Sequence, residues 1–304
     1  MNNICCLLDA CTVINLIYID NDDSLLKKLS SLEIHINDIV FSEIRDNVYN
    51  RILNLEMDKY SNKLELRQVR KDIDQKLSFF RGKKNNNQEL FRDLGSDYFN
   101  KIAELTKYNK RTNGELCSTA HALYLSRMNE NKIFFYTDDY PAKDYFSTFF
   151  NYQQIGHIKD SVDLLILLFW LDDKFSVKML DDFLSELHSQ YVTQISDLKS
   201  CLRNFYAEKV NAKFKREKKE LAHNITALIN NLDRMEFNSM KLSWQYFEKN
   251  SKKHNEVFNL IKNYHSVFEL EATPNSDTLL GKIVLTREMI KSKKIYKWGD
   301  ICTI

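Results

Sequence analysis

Apolar residues run without interruption from Ile4 to Leu8 and stop at Asp9, and the segment that follows, Thr12 to Ile19, is apolar at helical spacing. A short continuous apolar run that ends in a polar turn reads as a strand buried on both faces of a parallel sheet. Asp22 to Ser31 reads as a helix with Asp22 or Asp23 at its N-cap, and Glu33 to Ile36 alternates polar and apolar as a short strand. Asp38 caps a further helix whose apolar positions Ile39, Val40, Ile44, Val48 and Ile52 recur at helical spacing. Residues 54–84 form a long charged helix with an imperfect apolar face, Gly82 to Gln88 a loop, and Glu89 to Tyr108 another helix. The turn Lys110 to Gly114 leads into a helix beginning at Glu115. Its small residues Ser118, Thr119, Ala120 and Ala122 suit close packing on a sheet. Ile133 to Tyr136 is a second buried strand, ended by Thr137-Asp138-Asp139, and Phe149 to Ile158 contains the last strand. Asp160 to Asp163 opens the next helix in a capping-box pattern, and Val177 to Leu187 follows as its partner after a short turn. Strands alternating with helices predict an α/β fold, a parallel sheet flanked by helices.

Beyond about residue 205 the pattern changes to mostly helical. A basic run, Lys213 to Glu220, continues as a helix to Leu232. Residues 240–269 carry Trp244, Tyr246, Phe247, Phe258, Tyr264 and Phe268, and Lys282 to Leu285 reads as a strand. Interleaved lysines and aromatics suit stacking on single-stranded nucleic acid, but at helical spacing such aromatics are better explained as core. The chain is therefore expected to comprise an α/β domain, 1–205, carrying a helical hairpin at 54–110, and a helical region, 206–304.

Composition narrows the setting. The 304 residues are 43% hydrophobic, enough for a sizeable core, and only 6 Gly and 2 Pro fit long helices with few turns. The six cysteines include no C-x-x-C pair, and no histidine is suitably spaced for a zinc site. Asp9 interrupts the N-terminal apolar run, so no signal peptide is expected, and Val162 to Leu171 is shorter than the ~20 apolar residues of a membrane span. A cytoplasmic protein with reduced cysteines and no membrane partner is expected. The net charge of +2 hides alternation: residues 1–58 and 112–205 are acidic, 59–111 and 206–304 basic.

The acidic residues lie where chemistry is done in open α/β sheets, at the carboxyl ends of strands. Asp9 follows the first strand, Asp138 and Asp139 follow another, Glu43 sits at the edge of an apolar helical stripe, and Glu115 lies in a first helical turn. Each has an ordinary alternative, since an acid at a helix N-terminus complements the dipole. Together they form a series that resembles the PIN-domain nuclease family in its VapC-like bacterial form. The matching pieces are Leu7-Leu8-Asp9-Ala10-Cys11-Thr12, Ser42-Glu43-Ile44, Gly114-Glu115, and Thr137-Asp138-Asp139 through Lys143, over roughly residues 1–205.

The resemblance implies metal-dependent hydrolysis of phosphodiesters, in RNA more than DNA, with Mg2+ or Mn2+ held by Asp9, Glu43, Glu115 and Asp138 or Asp139. Thr12 would orient a water or a neighbouring carboxylate. In many relatives the third acid is Asp; here it is Glu115. Converging carboxylates repel one another unless a divalent cation neutralises them. Arg67, Arg70, Lys71, Arg81, Lys83 and Lys84 would then clamp the nucleic-acid backbone, or else form the wet face of the hairpin. A role as toxin or defence effector fits the family, although VapC-type toxins are much shorter than this chain. The added C-terminal region suits an inhibitor, a homodimer partner or substrate selection. Two rivals are a catalytically silent PIN-like module that binds RNA or protein, and a DNA-cleaving nuclease with the same metal site.

Overall fold

Strand β1, Cys5–Leu8, is buried at every residue and hydrogen-bonds to a parallel neighbour on each side. That is where four consecutive apolar side chains belong, because a central strand covered on both faces has no wet side. A computed structural model describes residues 5–57, 63–85, 95–108, 113–129, 132–234, 237–268 and 279–301. Around β1 the sheet is built from β2 (Glu33–Asn37), β3 (Lys84–Asn85), β4 (Ile133–Tyr136) and β5 (Gly156–Lys159), in the order β3-β2-β1-β4-β5. All pairs are parallel, with Cys5 opposite Glu33 on one side and Ile133 on the other. The chain is an α/β protein with a five-stranded parallel sheet flanked by helices, as the alternating pattern predicts.

The helices of this part are α1 (Ala10–Ile19), α2 (Ser24–Leu29), α3 (Asp38–Met57), α4 (Lys63–Arg81), α5 (Ser96–Leu105), α6 (Gly114–Asn129), α7 (Tyr140–Tyr152) and α8 (Ser161–Leu171). Cys5 and Leu7 point to a core shared with Leu116, Cys117 and Ala120 of α6 and with Phe146 and Phe150 of α7. The small residues of α6 let it lie on the sheet: Ser118, Thr119, Ala120 and Ala122 are all fully buried. At the start of α8 the expected capping box is present, Asp160 Oδ1 accepting from Asp163 N at 3.1 Å and Asp163 answering the Asp160 amide.

Several expectations are corrected. The last strand is only Gly156–Lys159, and Phe149 to Tyr152 belong to α7. Part of the Gly82 to Gln88 loop is strand β3, which extends β2 at Ile36 and Asn37. Lys282 to Leu285 lies within a helix, α15, because Leu279, Ile283 and Thr286 repeat at helical spacing and bury one face. The expected helices 54–84 and Glu89 to Tyr108 fall partly outside the described residues. Within them, α3 runs on to Met57, α4 covers Lys63–Arg81 and α5 begins at Ser96.

Gly156 is where β5 meets β4. Its φ is 154°, and a Cβ there would lie 1.9 Å from the Ile133 carbonyl oxygen. Gly156→Ala is expected to cost about 2–3 kcal/mol, because the strand must shift to relieve a backbone clash. Urea unfolding of the pure variant checks this, and an unchanged midpoint would show that β5 tolerates displacement.

Grouped by packing, the chain divides into residues 1–183 with 296–304, and residues 184–295. The division falls inside α9 (Val177–Lys209), the same helix in which the expected boundary at 205 lies. The second unit continues with α10 (Ala212–Glu217), α11 (Lys219–Arg234), α12 (Phe237–Lys249), α13 (Asn255–Lys262), α14 (His265–Phe268) and α15 (Leu279–Lys291); α16 (Trp298–Ile301) belongs to the first unit. Of the aromatics of the second unit, Trp244, Phe247 and Phe268 are buried, with the Trp244 ring 5.0 Å from that of Phe268, whereas Tyr246, Phe258 and Tyr264 are half-buried. Among the described residues, no helix is long and apolar enough to cross a membrane.

Candidate metal centre

The strand order reverses direction at β1: β2 and β3 follow on one side, β4 and β5 on the other. In an open α/β sheet the crevice outside the carboxyl ends of the strands at such a switch point is where ligands bind. Asp9 leaves β1 and Asp138 leaves β4 at that crevice, and the two strand ends are tied by the Asp9 amide donating to the Tyr136 carbonyl at 2.9 Å.

Asp9 is 5% exposed and stands at the N-cap of α1, yet its side chain makes no cap hydrogen bond. Instead Oδ2 accepts from the Thr137 hydroxyl at 2.8 Å and lies 3.5 Å from Cys11 Sγ. Burial pushes its carboxyl up to about 6. Glu43, one helical turn into α3, is pushed up to about 7, first by burial and then by the negative charge of Asp9, with Glu115 adding to it. Its carboxylate accepts from the Gly114 amide. A Cβ on Gly114 would meet Glu43 Oε2 at 2.9 Å and Val40 Cγ2 at 2.8 Å, so the bare glycine lets the start of α6 close on α3. That contact delivers Glu115 to the same place. Its Oε2 accepts from the Tyr108 hydroxyl at 2.5 Å, and the same hydroxyl lies 2.9 Å from Asn113 Oδ1. Burial and the bond to Glu115 raise the Tyr108 pKa, so the phenol keeps its proton.

Asp138 and Asp139 differ. Asp138 Oδ1 accepts from the Ser161 amide at 2.7 Å, while Oδ2 accepts from the Ser161 hydroxyl at 2.5 Å and from Asn15 Nδ2 at 2.7 Å. Three donors on this carboxylate thus join β4 to α1 and α8, and one lone pair of Oδ1 is left over. Burial raises the Asp138 pKa and the charge of Asp160 adds to it, while Lys143, 2.9 Å from Asp160 Oδ2, works against the rise. Asp139 is the N-cap of α7, its amide donates to Thr137 Oγ1 at 3.2 Å, and its charge acts on Tyr108 and Cys11. Thr12 is fully buried, and its hydroxyl oxygen has no hydrogen-bond partner among the described residues.

The structure therefore brings Asp9, Glu43 and Glu115 within electrostatic reach of one another, with Asp139 beside Tyr108 at the edge. Among the described residues, no three of these carboxylates place oxygens within 4.8 Å of one another. Oxygen donors of this kind are those a hard cation such as Mg2+ or Mn2+ would take, through one or two carboxylates with several waters kept. The unpartnered Thr12 hydroxyl and the two buried acids held above their usual range are groups that such a cation or its waters would satisfy.

The basic residues spread along α4 and its end. Arg67, Arg70 and Lys71 are exposed on α4. Arg81 lies over the Phe41 ring at 5.9 Å, two residues before Glu43, and Lys83 lies over Phe79 at 5.7 Å. Lys84 is exposed in β3. Lys76, in the same helix, is buried and donates to the carbonyls of Ile17 and Asp20, fastening α4 to the end of α1.

Sequence reasoning misses Tyr108, Cys11, Asn15 and Ser161, and gives Thr137 no role of its own. Cys11 accepts from the Asp138 amide at 3.2 Å and Thr137 bridges Asp9 to Asp139, so both hold the acids in place. Thr137, between an apolar strand and two aspartates, carried a readable signal. The others carried none, since the fold alone brings them to partners up to 127 positions away. No protein-family model matches this chain, and neither curated proteins nor solved structures show a significant match.

Proposed function

We propose that the chain is a Mg2+- or Mn2+-dependent nuclease of PIN-like type, an endoribonuclease acting in the cytoplasm as a toxin or defence effector. The observation that carries this reading is the convergence of Asp9, Glu43 and Glu115 at the switch point of a parallel sheet, where burial and mutual charge hold Asp9 and Glu43 above their ordinary range. A divalent cation bound there supplies an oriented water and charge stabilisation at a phosphodiester. Asp9, Glu43 and Glu115 hold it, Asp139 stands at the rim, and Asp138 keeps α1 and α8 in register beneath. Tyr108 donates to Glu115 and fixes the orientation of that carboxylate.

Cleavage of labelled single-stranded RNA and DNA by the pure protein, with Mg2+, with Mn2+ and with EDTA, tests the proposal. Metal-dependent cutting of RNA is expected. Cutting of DNA alone would redirect the substrate class, and no cutting of either by folded protein would favour a silent binding module.

The exposed side of α4 is assigned the nucleic-acid backbone. Charge reversal at Arg67, Arg70 and Lys71 together is expected to weaken RNA binding about tenfold or more and to reduce the steepness of its salt dependence. Unchanged binding and salt slope in a fluorescence titration would leave α4 as a solvated face.

A further inference from the structure

A second group of metal-capable side chains lies at the other end of the sheet. Cys5 opens β1 and Glu33 opens β2, and the two are direct partners across the strand pair, so both project from the same face; His35, two residues along β2, shares that face. Ligand atoms of Cys5, Glu33 and His35 all lie within 4.8 Å of one another. His35 Nε2 is 3.0 Å from Glu33 Oε1, and His35 Nδ1 is 3.1 Å from Asn85 Oδ1. Both ring nitrogens of His35 thus face side-chain oxygens at hydrogen-bond distance, the Glu33 carboxylate on one side and Asn85 on the other. An outer oxygen that fixes the histidine tautomer is also the usual support of a metal-binding imidazole.

A fourth side chain lies beside His35. His121 of α6 is 5% exposed, and its ring meets that of His35 edge-on with centroids 5.7 Å apart. Burial, with the neighbouring His35 adding to it, pushes its pKa down to about 4, so it is a neutral imidazole at physiological pH.

We propose that Cys5, Glu33 and His35, joined by His121, form a structural zinc site that ties β1, β2 and α6 together at the amino end of the sheet. One thiolate, one carboxylate and two imidazoles make a borderline donor set suited to Zn2+ and unsuited to Mg2+. Ligand atoms around tetrahedral zinc stand about 3.4 Å apart, given bonds of about 2.0–2.3 Å, so the group closes by roughly an ångström on binding. Binding releases the Cys5 thiol proton to solvent, so zinc uptake becomes easier as pH rises. Asp9 lies four positions beyond Cys5, about 13 Å at ~3.3 Å per residue. It does not rest on the nuclease reading.

The test is metal analysis of the full-length protein, followed by Co2+ substitution read by absorbance. One zinc per chain is expected, and Co2+ should give thiolate charge-transfer and tetrahedral d–d bands. Cys5→Ser should abolish the charge-transfer band, and His121→Asn should weaken zinc binding about 10–100-fold in a competition assay with a chromophoric chelator. Glu33→Gln, at a half-exposed position, should also weaken it and covers the case in which Cys5→Ser fails to fold. Asp9→Asn should leave zinc binding unchanged. Absence of submicromolar zinc binding, a Co2+ spectrum without a thiolate band, or unaltered affinity in Glu33→Gln would overturn the proposal.

Discussion

Asp9→Asn protein is expected to cleave RNA about a thousandfold more slowly than the parent while folding at least as stably. A carboxylate that holds a catalytic cation contributes several kcal/mol to the transition state, and each 1.36 kcal/mol is a factor of ten in rate. The substitution keeps the backbone bond from the residue 9 amide to Tyr136, and an amide oxygen still accepts from Thr137. It also removes a buried charge that burial already disfavours. Asp138→Asn provides the contrast. Its carboxylate receives three donors, the Ser161 amide, the Ser161 hydroxyl and Asn15 Nδ2, and an amide in its place offers one acceptor and turns two further donors on them. That variant should lose stability as well as activity, by about 1–3 kcal/mol for buried donors left unpaired. Cleavage rates and urea unfolding of both variants decide the matter. Undiminished cleavage by Asp9→Asn would remove this aspartate from the centre, and equal stability of Asp138→Asn and parent would undo the division of roles between the two carboxylates.

That division marks the limit of what the linear order of residues conveys. Strand β1 is legible because four apolar residues in a row admit few alternatives, and Asp9 is legible as its carboxyl-end residue. The same holds for β4 and the aspartate pair. Helix α9 extends to Lys209, well beyond the expected stop at Leu187, although the signal for it is present: Leu187, Tyr191, Ile195, Leu198 and Leu202 are buried at intervals of three and four residues. In contrast β3 has two residues and no apolar pattern, and exists because the end of β2 offers it backbone partners. The Lys282 to Leu285 segment misleads because a β-branched pair within a longer periodic stretch follows the period, with Ile283 buried and Val284 exposed. Of the site, the acids are readable as residue types at strand and helix ends. Their division into scaffold and centre is set by Asn15, Tyr108 and Ser161, whose nearness to the acids is a product of tertiary packing. The Cys5, Glu33, His35 and His121 group is hidden for the same reason, since cross-strand register, not spacing along the chain, brings it together.

The centre's own charges give the second large effect, a steep loss of activity in acid. Asp9 and Glu43 are held up to about 6 and about 7, above the ordinary 3.8 and 4.5. Both must be ionised to hold a cation, so at limiting Mg2+ cleavage should fall about tenfold per pH unit below 7 and approach a hundredfold per unit below 6 as the second proton binds. Between pH 7.5 and 5.5 that amounts to about two orders of magnitude. Raising Mg2+ should slide the profile to lower pH, because metal and protons compete for the same oxygens. Stability runs the other way. Across the window from about 4 to 7 these two groups bind more protons in the folded chain than in the unfolded one, so their contribution weakens as pH rises through it. Metal-free protein is therefore destabilised by them at pH 8, and Mg2+ should restore stability there while adding nothing at pH 5. Glu43→Gln removes one of the two charges. In EDTA at pH 8 it should melt a few degrees above the parent, yet gain less from Mg2+ and lose cleavage. Thermal midpoints of parent and variant, with EDTA and with Mg2+, at pH 5 and pH 8 make the comparison. An equal Mg2+ effect at both pH values, or a variant no more stable than the parent in EDTA at pH 8, would mean that the repulsion inferred among Asp9, Glu43 and Glu115 is not what the cation relieves.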